Sequence, residues 1–273
     1  MSKTIAFANQ KGGVGKTTSC VNLAASIASK QHRVLLIDLD PQGNTTMGSG
    51  IDKRNLQSSI NEVLLDEVDI ITTIISTKAG YDLVPANRDL TAAEVQLLPV
   101  KRCEQRLLQA ISKIKGSYDY IFIDCPPALS MLTVNALVAS DSVIIPMQCE
   151  YYALEGISGL VETLQGIQTK FNPKLTIDGI LRTMYDPRNR LTNEVSDQLF
   201  EHFKDKVFTT VIPRNIRLAE APSYGLPALL YDRTSQGAKA YLDLADELLA
   251  KRKQEFHSTA KLAINNNDPQ GLF

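Results

Sequence analysis

Short apolar runs alternate along the chain with longer stretches whose apolar positions recur at helical spacing. Thr4–Ala8 is the first run, and Arg33–Asp38 (RVLLID), Tyr81–Pro85, Tyr120–Asp124 (YIFID), Asp141–Pro146 (DSVIIP) and Leu175–Leu181 follow. Continuous apolar runs fit strands covered on both faces, as in a parallel sheet. Cys20, Leu23, Ala24 and Ile27 put one apolar face on a helix over 17–30. Further helices are predicted over 101–114, 131–139, 150–170, 192–203 and 235–253. Residues 41–80 read as a looser stretch of turns and short helices. This alternation predicts an α/β fold, a mostly parallel twisted sheet with helices on both faces. No repeat or linker divides the chain, so one domain is expected over 1–254. The polar, turn-rich end predicts a disordered tail over 255–273.

Composition narrows the partners. The chain has 273 residues, enough to bury about 70–75% of its unfolded surface without disulfides or metal. Its net charge is −1, so contact with nucleic acid requires a local basic patch, or one completed by oligomerisation. The four cysteines Cys20, Cys103, Cys125 and Cys149 are scattered and form no C-x-x-C pair, which argues against structural zinc or an iron–sulfur cluster. Free thiols suit a reducing compartment. The N-terminal residues lead straight into a strand, and no apolar run approaches a membrane span. A cytoplasmic location is expected.

Candidate chemistry concentrates in QKGGVGKTT, residues 10–18. It follows a strand and opens a helix, the context a phosphate-binding loop requires. Gly12, Gly13 and Gly15 let the backbone, with that of Val14, aim its N–H groups inward at an anion, helped by the positive end of the helix. Lys16 reaches the β- and γ-phosphates, the Thr17 hydroxyl ligates magnesium and Thr18 addresses the α-phosphate. Asp124 ends the strand YIFID, where a magnesium site needs a carboxylate. Asp38 and Asp40 end another strand and point the same way if it persists through them. One then supports magnesium or Lys16 and the other orients the attacking water; alternatively, Asp40 only starts the turn at Pro41. Gln10 stands where the usual pattern has glycine, and Lys11 is a second lysine at the loop mouth or else a solvated surface charge.

KGGVGKTT, VLLIDLDPQGN, IFIDCPP, CEYYALEG and VIPRNIRLAEAPSYG together resemble the ParA-type chromosome- and plasmid-partitioning ATPases, most closely the short Soj/ParA proteins. The resemblance spans Lys3 to about Ala250. It implies a nucleotide sandwich in which Lys11 crosses the interface of a homodimer to the neighbour's ATP. It implies that Asp40 serves hydrolysis, Asp124 is the Walker B acid, and Thr17, with Asp38 and Asp124, forms the Mg2+ site. It places Pro213 and Asn215 beside the adenine, although Asn215 also suits a helix N-cap. It further implies ATP-dependent binding of non-specific double-stranded DNA, with Arg188 and Arg217 as contacts. A ParB-type centromere-binding protein would stimulate hydrolysis, and the protein would be nucleoid-associated rather than membrane-bound.

The alternative is a MinD-type membrane-associated positioning ATPase. It needs an amphipathic C-terminal helix, and Lys251–Lys253 with Phe256, Leu262 and Ile264 give only a thin apolar face. A small-molecule ligase or an iron–sulfur reductase would share the phosphate loop, but no cluster motif surrounds Cys125 or Cys149.

Overall fold

The computed structural model describes residues 2–265. Its centre is one seven-stranded sheet in the order β3-β4-β2-β5-β1-β6-β7. The strands are β1 (Lys3–Phe7), β2 (Val34–Asp38), β3 (Ile75–Ser76), β4 (Asp82–Val84), β5 (Tyr120–Asp124), β6 (Ser142–Gln148) and β7 (Thr176–Thr183). All pairs are parallel except β3 with β4. β2 and β5 are buried along their whole length, as their unbroken apolar sequences require.

Alternate residues feed two cores. Ala6, Leu35, Ile37, Ile121 and Ile123 face one layer of helices. Ile5, Phe7, Val34, Leu36, Tyr120 and Phe122 face the other, formed largely by the helices Lys16–Ala28 and Gln236–Asn265. The chain runs from β1 to one side of the sheet and later crosses to β6 on the other. The C-terminal end of β1 is therefore a topological switch point, the place where open α/β sheets bind ligands. The phosphate loop leaves the sheet there.

Three expectations change. The helix expected over 101–114 is a 3-10 turn, Cys103–Gln105, followed by a helix over Arg106–Ser112, because Arg102 takes a left-handed conformation at φ 57°. The helix expected from 150 begins at Ala153. The last helix does not end near 253 but continues to Asn265, so the disordered tail expected from 255 is helical as far as that residue. No glycine or proline interrupts 251–265, and Ala, Lys, Gln, Glu and Leu there favour the helix. The remainder of that tail, 266–273, lies outside the described residues. Among the described residues, no helix is long and apolar enough to cross a membrane.

Candidate nucleotide site

The loop between β1 and the helix Lys16–Ala28 turns on Gly13 and Gly15, at φ 74° and 85°. Gly15 is the helix N-cap, and no side chain caps it. The first-turn N–H groups thus remain available to an anion at the positive helix end. Val14 is buried, and its carbonyl accepts from Thr183 Oγ1 at 2.8 Å, which ties the loop to β7. Lys16 is buried and its Nζ donates to the Lys11 carbonyl at 3.1 Å, clasping the loop. Burial lowers its pKa, while Asp124 and Asp40 act in the opposite direction.

Register aligns the acids. Phe7, Asp124 and Asp38 are in-register neighbours across β1, β5 and β2, so the two carboxylates share a level and a face. Asp124 Oδ2 accepts from Thr17 Oγ1 at 2.7 Å and Thr45 Oγ1 at 2.6 Å. Its Oδ1 is buried without a hydrogen-bond partner. Such an orphaned carboxylate oxygen beside a hydroxyl suits a hard divalent cation or its bound water, and the site fits magnesium on that ground. Asp38 Oδ2 accepts from Thr46 N and Oγ1 at 2.8 and 2.7 Å. Burial pushes Asp124 up to about 6 and Asp38 up to about 7, and the charge of Asp124 adds to the latter.

β2 ends at Asp38, so Asp38 and Asp40 do not continue one strand face. Asp40 instead opens a turn: its Oδ1 accepts from Gln42 N at 2.9 Å and its carbonyl accepts from Gly43 N. It is still close enough to Lys16 to influence its charge. Turn geometry and proximity to the phosphate loop therefore coexist in Asp40.

Gln10 and Lys11 face outward. Gln10 Nε2 reaches Thr163 Oγ1 on the helix Ala153–Lys170 at 3.4 Å, and Lys11 Nζ pairs with Glu150 just before that helix. Lys11 thus bridges the loop to the CEYYALEG segment, and Gln10 to the helix that continues it. Tyr151 and Tyr152, 75% and 71% exposed, stand beside Glu150 and give this face an apolar component.

A cavity of about 170 Å³ opens beyond Gly15 and Thr18. Thr183, Met184, Ile212, Pro213, Asn215 and Tyr241 help to line it. Asn215 caps the helix Ile216–Glu220 through Oδ1, which accepts from Arg217 N at 3.0 Å. Capping and ligand contact are compatible, because the amide nitrogen is left to address a base. Met184 lines the cavity at φ 49°, an uncommon conformation for its residue type.

The two arginines stand elsewhere. Arg188, whose side chain is 88% exposed, pairs with Asp186 at 2.8 Å, and that pairing holds the Asp186 carboxyl at about 2. Arg217, next but one to Asn215, is shared by Glu220 at 2.8 Å and Asp232 at 3.4 Å. Thr45, Thr46 and Thr183 escaped the sequence reading. The threonines after PQGN were visible, but nothing local showed that they turn back onto Asp38 and Asp124.

A glycine-bent loop on a helix N-terminus, a buried lysine and a paired hydroxyl–carboxylate define a P-loop nucleotide hydrolase. The family profile described as an AAA domain matches residues 2–177. The sporulation initiation inhibitor protein Soj of Bacillus subtilis is 52% identical over 251 residues, 92% of this chain and 99% of its own. The chromosome partitioning protein ParA of Caulobacter vibrioides is 45% identical over 254 residues, 92% of this chain and 95% of its own. Cobyrinic acid a,c-diamide synthase of Mycobacterium smegmatis, solved with ADP and magnesium, superposes with TM-score 0.82 at 38% identity, covering 93% of this chain and 96% of its own. The chain belongs to the ParA/Soj family of P-loop ATPases whose phosphate loop carries a second lysine.

Proposed function

We propose that this chain is a DNA-partitioning ATPase that binds ATP with Mg2+, dimerises face to face, holds double-stranded DNA without sequence preference and releases it on hydrolysis. The observation that carries this reading is the division of labour between two lysines of one loop. Lys16 is buried in the cradle, whereas Lys11 projects from the open face with its side chain 48% exposed. A lysine facing outward there serves a neighbour's nucleotide better than its own.

In this reading the loop N–H groups and Lys16 hold the phosphates. Thr17 and Asp124 hold the cation, with Asp38 fixing Thr46 behind them. Magnesium supplies positive charge to the phosphate oxygens when bound. Asp40 orients the attacking water at the rim of the loop. Lys11 from the second subunit stabilises charge that develops on the transferred γ-phosphoryl oxygens. Pro213 and Asn215 receive the adenine. Dimerisation doubles the arginines presented to DNA, and binding through phosphate contacts rises steeply with their number. A ParB-type partner accelerates hydrolysis, and the protein resides in the cytoplasm on the nucleoid.

The test is DNA retention with ATP, with ADP and with no nucleotide. ATP alone should sustain retention, and Lys16→Ala should abolish that dependence. Equal retention in all three states would overturn the reading. The extension of the last helix to Asn265 supplies one requirement of the membrane-associated alternative, a helix at the C-terminal end. ATP-dependent co-sedimentation with anionic vesicles, lost on removal of residues 251–273, would favour it.

A further inference from the structure

β7 is an edge strand, yet it is not bare. The segment 207–213 runs beside it in parallel, bridged at Ile180–Val207 and at Tyr185–Pro213. Phe208 N donates to Ile180 O at 3.0 Å at one end. At the other end, Ile212 N donates to Arg182 O and Tyr185 N to Ile212 O, each at 2.9 Å. Within β7, from Ile180 to Arg182, the segment advances four residues, Phe208 to Ile212, for two of the strand, so it carries extra residues and must bulge. A bulge leaves backbone groups without ladder partners, and buried ones need substitutes.

Two side chains provide them. Arg182 Nη2 donates to the carbonyls of Phe208 and Thr209, both at 3.0 Å. Glu247, on the last helix, accepts from Thr209 N at 2.7 Å and Thr210 N at 2.9 Å. Arg182 is 6% exposed, donates through Nη1 to Ser196 Oγ and lies over the rings of Tyr185 and Phe200 at 5.3 and 4.8 Å. No carboxylate accepts a hydrogen bond from it among the described residues. Burying a guanidinium against carbonyls, a hydroxyl and aromatic faces, with no carboxylate bonded to it, costs stability, so a β-branched residue would suit mere sheet packing better. The bulged segment delivers Ile212, Pro213 and Asn215 to the cavity beyond the phosphate loop. The next residue of β7, Thr183, grips the loop itself through the Val14 carbonyl.

We infer that Arg182 and Glu247 are positioning residues for the adenine end of the nucleotide site. Together they replace the missing ladder of 208–210 and set the height at which Pro213 and Asn215 meet the base. Adjacent residues of one strand then register both ends of the nucleotide, Arg182 for the base and Thr183 for the phosphates. The inference rests on the reading that Pro213 and Asn215 contact adenine, so the test separates the two.

Calorimetric affinities for magnesium ATP and for magnesium tripolyphosphate, which lacks the nucleoside, are measured on the full chain. Arg182→Lys and Glu247→Gln should each weaken ATP about tenfold, the value of one or two lost charge-assisted bonds. Tripolyphosphate affinity should stay within about twofold, which a general loss of structure would not leave intact. Equal losses for both ligands, or no loss for either, overturn the inference. Asn215→Ser keeps a capping oxygen and removes the amide. If it leaves the ratio of the two affinities unchanged, the adenine reading itself fails. If it lowers the ratio and neither positioning variant does, only the inference fails.

Discussion

Lys11 Nζ lies 2.5 Å from Glu150 Oε2, so the outward lysine of the phosphate loop is held by a carboxylate of its own chain. Both side chains are about half exposed, at 48% and 52%, and a pair of that kind is worth ~0.2–1 kcal/mol. Lys11 must leave Glu150 to reach a neighbour's phosphates. A symmetric dimer breaks two such pairs, so Glu150→Gln is expected to favour the ATP-dependent dimer by up to ~30-fold with little change in melting temperature. Sedimentation velocity across an ATP titration checks this. Lys11→Ala should bind ATP and remain monomeric; normal dimerisation by that variant would refute the trans role.

Asp40 combines a turn-forming hydrogen bond with a place beside the loop. If its second task is to orient water, Asp40→Ala should lower the hydrolysis rate by ~10²–10⁴-fold. ATP affinity should change little, and the variant should persist on DNA in the presence of ATP. Rapid release from DNA with ATP hydrolysed at the normal rate would leave Asp40 only the turn.

The buried acids give a signed pH dependence. An unfolded aspartate titrates near ~3.9, whereas Asp124 and Asp38 are pushed up to about 6 and about 7. Between about pH 4 and 7 the folded chain therefore retains protons that the unfolded chain has released. The stability of the nucleotide-free protein falls as pH rises through that window. Asp38→Asn removes one of the two groups, so its melting temperature should fall less than the wild type's between pH 5.5 and 8. Each kcal/mol moves the melting temperature of a chain this size by ~2–4 °C, which scanning calorimetry resolves. Parallel curves for the two proteins would show that the shift at Asp38 is absent.

Much of this arrangement was legible in the residues. YIFID gave β5 residue for residue, because an apolar run buried on both faces is bounded by Asp119 before it and by Asp124 at its end. QKGGVGKTT gave the loop, since its glycines and lysine have few other uses together. β3 was not legible: two residues on an antiparallel edge carry no periodicity. The helix Leu90–Leu97 also escaped, because its apolar residues are spread round the helix: Leu90, Ala93 and Leu97 are buried while Val95 is exposed. Local pattern was silent on long-range pairing. Thr45 meets Asp124 across 79 positions and Arg182 meets Phe208 across 26, so only the sheet order reveals either contact.

Gly179 marks the tightest packing behind the adenine-side segment. A Cβ there would lie 2.3, 2.6 and 2.8 Å from Cε2, Cδ2 and Cζ of Phe208. The ring is fully buried under Lys251 Nζ at 4.4 Å and precedes the bulge that Arg182 and Glu247 hold. Gly179→Ala must push that ring outward, and overpacking of this kind costs ~1–3 kcal/mol. The melting temperature should fall by ~3–10 °C. Because Phe208 carries a carbonyl that Arg182 holds, ATP affinity should fall more than tripolyphosphate affinity. Gly166→Ala is the control: nothing lies within 4 Å of its Cβ, and alanine gains ~0.5–1 kcal/mol over glycine inside a helix. A Gly179→Ala protein as stable as the wild type would show that β7 and Phe208 separate easily. The bulged segment would then lack the rigidity that placing a base requires.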